Sequence, residues 1–151
     1  MKKRILLLSI VLVSFTAFSF AADAPAISKN VVISFNKQFA SAHDVKWIQQ
    51  ANFVKAEFTI NDMVLFAYFN HNGELIAVTR YISTTQLPLE IQTSLKSNYA
   101  DYWVSDLFEI QSESGTSYYA TIENADQVII LKSEGISGWQ NFQRVKKVHA
   151  E

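Results

Sequence analysis

Two apolar stripes at helical spacing, each followed by runs that alternate every second residue, organise this sequence. Val31, Phe35, Phe39 and Ala42 recur at four- and three-residue steps, which puts them on one side of a helix, and Ser28 can cap its start. After His43-Asp44 the composition turns strand-like over 45–48 and again over 53–60, where Val54, Ala56, Phe58 and Ile60 alternate with Phe53, Lys55, Glu57 and Thr59. Asn61-Asp62 supplies a tight turn, 63–69 a third strand, Asn72-Gly73 a hairpin signal, and 75–82 a fourth strand. If both turns are two-residue turns, Ile60 opposes Met63, Phe58 opposes Leu65, and Phe69 opposes Ile76. The predicted core face is then Val54, Ala56, Phe58, Ile60, Met63, Leu65, Ala67, Phe69, Ile76 and Val78, with Arg80 at its rim. The opposite face carries Phe53, Lys55, Glu57, Thr59, Val64, Phe66, Tyr68, Leu75, Ala77, Thr79 and Tyr81.

The order then restarts. Pro88 suits a first helical turn, because its missing N–H has no acceptor there, and Ile91, Leu95 and Tyr99 repeat at four-residue steps. Strand-like runs follow at 103–111, 117–123 and 127–132, and the tail holds Ile136, Trp139, Phe142 and Val145. Phe39 and Tyr99 end their stripes sixty positions apart, and Phe58 and Tyr118 keep the same offset. The pattern predicts an α+β fold: a tandem repeat of a helix followed by an antiparallel β-meander, with the helices packed on one sheet face. Repeat one spans about 28–83 and repeat two about 84–145, within a single domain at 28–151.

The N-terminus belongs to a different device. Lys2, Lys3 and Arg4 precede an unbroken apolar run from Ile5 to Val13, and Ser19-Phe20-Ala21 places small residues at the two positions a signal peptidase inspects. Residues 1–21 read as a signal peptide and 22–27 as a short leader. The run is short for a bilayer-spanning helix, which needs about 20 residues, and no later run is long enough. A periplasmic or secreted protein is therefore expected, with no membrane span after cleavage. Removing 1–21 leaves 130 residues, enough for one core, and takes three of the 13 Lys and Arg; ten against 14 acidic residues gives −4. That balance gives no electrostatic reason to expect nucleic acid as a partner. Export permits disulfides, yet the chain has no cysteine, so apolar burial by its 11 Phe, six Tyr and three Trp must carry stability.

The chemistry expected of a catalyst is missing from the pattern. His43, His71 and His149 lie in separate segments at no metal-ligand spacing, so no metal site is expected. There is no Gly-x-Ser-x-Gly elbow, and none of the four glycines sits in a phosphate-cradling loop. Asp101 with Asp106, or Glu109 with Glu113, could form acid–base pairs in principle, but such spacings in strands usually mark solvated charge. No catalytic residue and no cofactor are assigned. The positive anomaly is the second sheet face, which should be largely polar if helices back the first. Phe53, Val64, Phe66, Tyr68, Leu75 and Tyr81 share it, and Tyr119, Val128 and Ile130 extend it. Such a face suits a protein or peptide partner; the other readings are cover by the tail carrying Trp139 and Phe142, or a homodimer contact.

Phe39-x-x-Ala42-x-x-Val45-x-Trp47, Phe53-x-x-Ala56-x-Phe58, Ala67-x-Phe69-x-x-x-Gly73 and Leu87-Pro88 before a Tyr99-ended helix resemble the PepSY-like envelope proteins of Bacteroidetes. The resemblance runs from about 27 to 135. It implies the β-lactamase-inhibitor-protein fold, in which a sheet face is presented to a partner, and an extracytoplasmic binding role such as restraint of a peptidase or other enzyme. It brings no catalytic residues. Inhibitors of this fold type often carry disulfides, and this chain has none. The expected function is an exported, non-catalytic module binding a protein or peptide through Phe53, Val64, Phe66, Tyr68, Leu75, Tyr81 and Tyr119. The alternatives are a small extracytoplasmic hydrolase or ligand-binding protein of cystatin-like architecture, and a homodimeric structural protein.

Overall fold

A computed structural model of the chain describes residues 27–147. The predicted signal peptide, nearly all of the 22–27 leader and His149 lie outside the described residues. In chain order the elements are α1 (Lys29–Gln38), β1 (His43–Gln49), β2 (Val54–Ile60), β3 (Met63–Phe69), β4 (Leu75–Tyr81), α2 (Leu89–Asn98), β5 (Trp103–Ser112), β6 (Gly115–Glu123), β7 (Gln127–Glu134) and β8 (Gln140–Lys146), with a 3-10 turn at Thr84–Gln86.

The expected tandem repeat of helix-then-meander units is corrected by the strand pairing. All eight strands form one uninterrupted antiparallel sheet in the order β1 to β8, against which the two ten-residue helices are a minor part. The junction is β4 with β5, paired from Ala77↔Ser112 to Tyr81↔Phe108. Two separate meanders would each leave a second row of N–H and C=O groups unpaired at that junction; continuing the ladder satisfies both.

Both helices lie on the same face of this sheet, each over its own apolar cluster. Val31 and Phe35 of α1 meet Val54, Ala56, Phe58, Ala67 and Phe69. Phe35 is ringed by Phe39, Trp47 and Phe58, with centroids 5.0–5.3 Å away. Ile91 and Leu95 of α2 meet Leu107, Ala120, Ile122, Ile129 and Leu131. Ser28 holds the N-cap position of α1 but its side chain makes no capping bond. Between the clusters, on the same face, Arg80 reaches the buried Glu109 at 3.2 Å, and Gln111 donates to the other carboxylate oxygen at 3.0 Å.

The register agrees with a two-residue turn at Asn61-Asp62, whose φ values of 50° and 62° are those of a hairpin turn, so Ile60 opposes Met63 and Phe58 opposes Leu65. The next hairpin is different. Asn70 N–H donates to Glu74 O, and Asn70 Oδ1 accepts from the N–H groups of Asn72 and Glu74, which makes a longer loop closed by Gly73 at φ +92°. Phe69 therefore opposes Leu75, not Ile76, and a bulge follows before Tyr68↔Ala77. Leu75 turns onto the α1 cluster, and Ile76 is left 47 % exposed. The tail past residue 139 becomes β8, pairing β7 along the outer edge.

Candidate functional site

The face away from the helices is built from the alternate residues of the same strands. Pairings Glu57↔Phe66, Lys55↔Tyr68, Phe66↔Thr79, Tyr68↔Ala77, Tyr81↔Phe108, Phe108↔Tyr119 and Tyr119↔Lys132 put these side chains side by side. Together they form a row of rings across the sheet. Phe53 meets Tyr68 at 5.6 Å and Phe66 meets Tyr81 at 5.9 Å; Tyr81 meets Phe108 at 6.4 Å, all edge-on. Phe108 and Tyr119 then stack with planes 4° apart at 5.3 Å, and Tyr119 meets Phe142 of β8 edge-on at 5.6 Å. Such pairs each add about 0.5–1.5 kcal/mol beyond burial, so the rings hold one another in fixed orientations before anything binds.

Of the residues assigned from sequence, Phe53, Phe66, Tyr68, Tyr81 and Tyr119 enter this row. Val64 shares the face at the far end of β3, 49 % exposed and opposite Thr59. Leu75 does not: the longer Asn70 to Glu74 loop turns it to the helix side. The tail does not lie across the face either. Trp139 packs against the α2 cluster, where its Nε1–H donates to Ile91 O at 2.8 Å, and Phe142 extends the row at 61 % exposure. Phe108 and Ile110 went unassigned because only the β4–β5 pairing brings 103–111 beside Tyr81, and that pairing joins segments read as separate units.

Near the middle of the row the small side chains of Ala77 and Thr79 leave a hollow of about 360 Å³, bounded by Phe66, Tyr68, Tyr81 and Phe108. The Lys55 ammonium stands over Phe66, 4.3 Å from its centroid, at the hollow's rim. Cations on ring faces are stabilised by the ring quadrupole. Carboxylates elsewhere on the face are neutralised: Glu57 by Lys46 at 3.1 Å, Glu134 by Lys132 at 2.7 Å, and Glu123 by Lys147 at 2.7 Å. The hydrogen bond to Lys132 holds the Glu134 carboxyl below its usual range, and Glu134 in turn raises the Lys132 ammonium. Asp106, beside Thr121 in β5, has no such partner among the described residues.

The other titratable groups do not converge. His43 and Asp44 bond each other at 2.9 Å on the surface, and His71 contacts Ala51 O at 3.0 Å across the hairpin. Glu109 is committed to Arg80 while Glu113 is exposed in the following turn, and Asp101 precedes β5, exposed. Among the described residues no three His, Cys, Asp or Glu side chains come together as metal ligands. No described helix is long and apolar enough to cross a membrane.

No protein-family model and no curated protein matches the sequence. Solved structures do match in fold. A BLIP-like protein of Bacteroides fragilis superposes with a TM-score of 0.72 at 17 % identity, over 86 % of this chain and 93 % of that one. A DUF2874 family protein of Bacteroides ovatus gives 0.71 at 17 % identity, over 80 % and 88 %. A candidate periplasmic protein of Bacteroides eggerthii gives 0.70 at 13 % identity, over 80 % and 89 %. The chain has a BLIP-like fold.

Proposed function

We propose that this chain is an extracytoplasmic, non-catalytic binding module that docks a protein or peptide on its helix-free sheet face. One observation carries the reading: rings from Phe53 to Phe142 run across the face, and no described element covers them. Pre-oriented aromatics around a hollow are the composition of interface hot spots, each costing about 2 kcal/mol or more on truncation. The BLIP-like fold and the PepSY-like sequence pattern support binding over catalysis, and the signal-like N-terminus supports export. A partner enzyme restrained by this face fits the same reading.

The test is crosslinking in the native envelope with the wild type and with Phe66→Glu and Tyr68→Glu, whose folding is checked by circular dichroism and urea midpoint. Wild type is expected to join one discrete partner, and both variants, still folded, to lose it. Capture by folded variants at the wild-type level overturns the assignment of the face. A product of twice the chain's own mass, confirmed by concentration-dependent sedimentation, replaces the heterologous partner with a homodimer.

A further inference from the structure

A second cavity lies on the opposite side of the sheet, at the carbonyl end of α2, and nothing above assigns it a role. Its origin is a difference in packing between the two apolar clusters. Under α1, four rings centred on Phe35 interlock and fill the space. Under α2 the aromatics of the cluster are Tyr118, Trp139, Tyr99 and Tyr102, and the two at the carbonyl end of the helix, Tyr99 and Tyr102, meet each other edge-on at 6.1 Å and are only half-buried. The aliphatic side chains beneath do not reach as far, and an open cavity of about 370 Å³ remains. That is within the size range of small-ligand sites, which are apolar with a few polar groups to fix orientation.

The lining has that division. Leu95, Val104 and Ile122 supply aliphatic surface, while Thr84, Gln92 and Lys96 supply polar groups. None of those three polar side chains makes a hydrogen bond or ion pair within the described residues, so all are available to a ligand. Gln92 and Lys96 are four apart on α2 and so neighbours on one helix face. Lys96 is the only formally charged lining residue; Asp101 in the nearby turn is not part of the wall. We infer that this cavity binds a small amphipathic monocarboxylate, its apolar body on Leu95, Val104 and Ile122 and its carboxylate on Lys96 with Gln92 and Thr84. The carbonyl end of a helix disfavours an anion, which makes the acid's affinity hinge on the Lys96 ammonium.

4-Phenylbutyrate is a suitable probe, with its uncharged amide as control, titrated into the purified protein as the cell exports it and followed by methyl NMR. Saturable shifts are expected at Leu95, Val104 and Ile122, with a Kd on the order of 1 mM as befits so small a ligand, and about ten-fold weaker binding of the amide. Lys96→Gln, a surface change that leaves the core intact, should lower the acid's affinity to that of the amide. Ala100→Trp, which fills the mouth from an exposed position, should abolish both. Absence of saturable shifts, shifts confined to the aromatic face, or an acid and amide that bind alike would each overturn the inference. Because the cavity and the aromatic face are on opposite sides of the sheet, failure here is distinguishable from failure of the docking site.

Discussion

Replacing Arg80 by Met removes the charged partner of a carboxylate that has almost no water. The Glu109 side chain is 8 % exposed and accepts from Arg80 Nη2 at 3.2 Å and Gln111 Nε2 at 3.0 Å. Breaking a buried ion pair by deleting one member costs about 3–5 kcal/mol, because the remaining charge stays desolvated. Here the Arg80 side chain keeps 30 % exposure, so water can enter as it leaves, and the Gln111 amide remains. A cost of about 2–3 kcal/mol is expected, a fall of roughly 10 °C in Tm for a domain this size. The matching change Glu109→Met should behave differently in the double variant. With both charges gone, the seam between the two apolar clusters becomes continuous apolar surface, and stability should return to within about 1 kcal/mol of wild type. Urea unfolding followed by tryptophan fluorescence measures this as a shift in midpoint at constant slope. A loss below about 0.5 kcal/mol for Arg80→Met, or a double variant as unstable as the single one, would refute the claim that Glu109 is held in a desolvated site.

Three further outcomes can be measured on the same purified protein. Gly73→Ala should destabilise by at least about 2 kcal/mol, since φ is +92° and the added Cβ would stand 2.7 Å from Asn30 O at the start of α1; a neutral urea midpoint would contradict that close approach. Trp139→Phe should cost about 1–2 kcal/mol by leaving Ile91 O without its indole donor, and a smaller loss would show that the tail is not pinned there. Burial of the Tyr118 phenol, reinforced by the Glu109 charge and opposed by Arg80, raises its pKa above the usual 10.0. The folded state therefore holds this proton more tightly than the unfolded chain. The stability it contributes is full below pH 10 and is lost as pH rises through 10 toward the folded value. Phenolate absorbance should show one tyrosine ionising late, and Tyr118→Phe should flatten the alkaline loss of stability.

Sequence periodicity revealed what repeats and missed what is irregular. The Val31 and Phe35 stripe and the alternation through Val54, Ala56 and Phe58 are visible because each has one dry face and one wet face. Leu75 was misplaced because Asn72-Gly73 also suits a two-residue turn, and only the Asn70 side chain's bonds to the loop N–H groups decide for the longer one. β8 left no signal: every residue in Gln140–Lys146 is exposed, so no alternation marks it. The aromatic face was legible for Phe66, Tyr68 and Tyr81, which lie on neighbouring strands in sequence. Phe108 was not, because its place follows from the β4–β5 ladder, a long-range pairing that no local pattern encodes. The α2 cavity escaped for a related reason: it arises from what Tyr99 and Tyr102 fail to fill, and voids have no residue of their own.

The strict succession of strands from β1 to β8 also governs how the chain can be assembled. Each strand hydrogen-bonds only to those immediately before and after it, apart from the two at the ends. The longest wait between neighbouring strands is at the β4–β5 junction, where β4 stays unpaired until α2 and the turn after it have been made. A polypeptide emerging N-terminus first can add one strand at a time to a growing edge, and the hairpin contacts, which are short in sequence separation, favour rapid folding. At every stage the newest strand is open to a wrong neighbour, as is the outer edge of β1. Among the described residues the last edge is β8, where Gln140, Asn141, Gln143, Arg144 and Lys146 flank the exposed Phe142 and Val145, and such polar and charged side chains discourage further sheet addition.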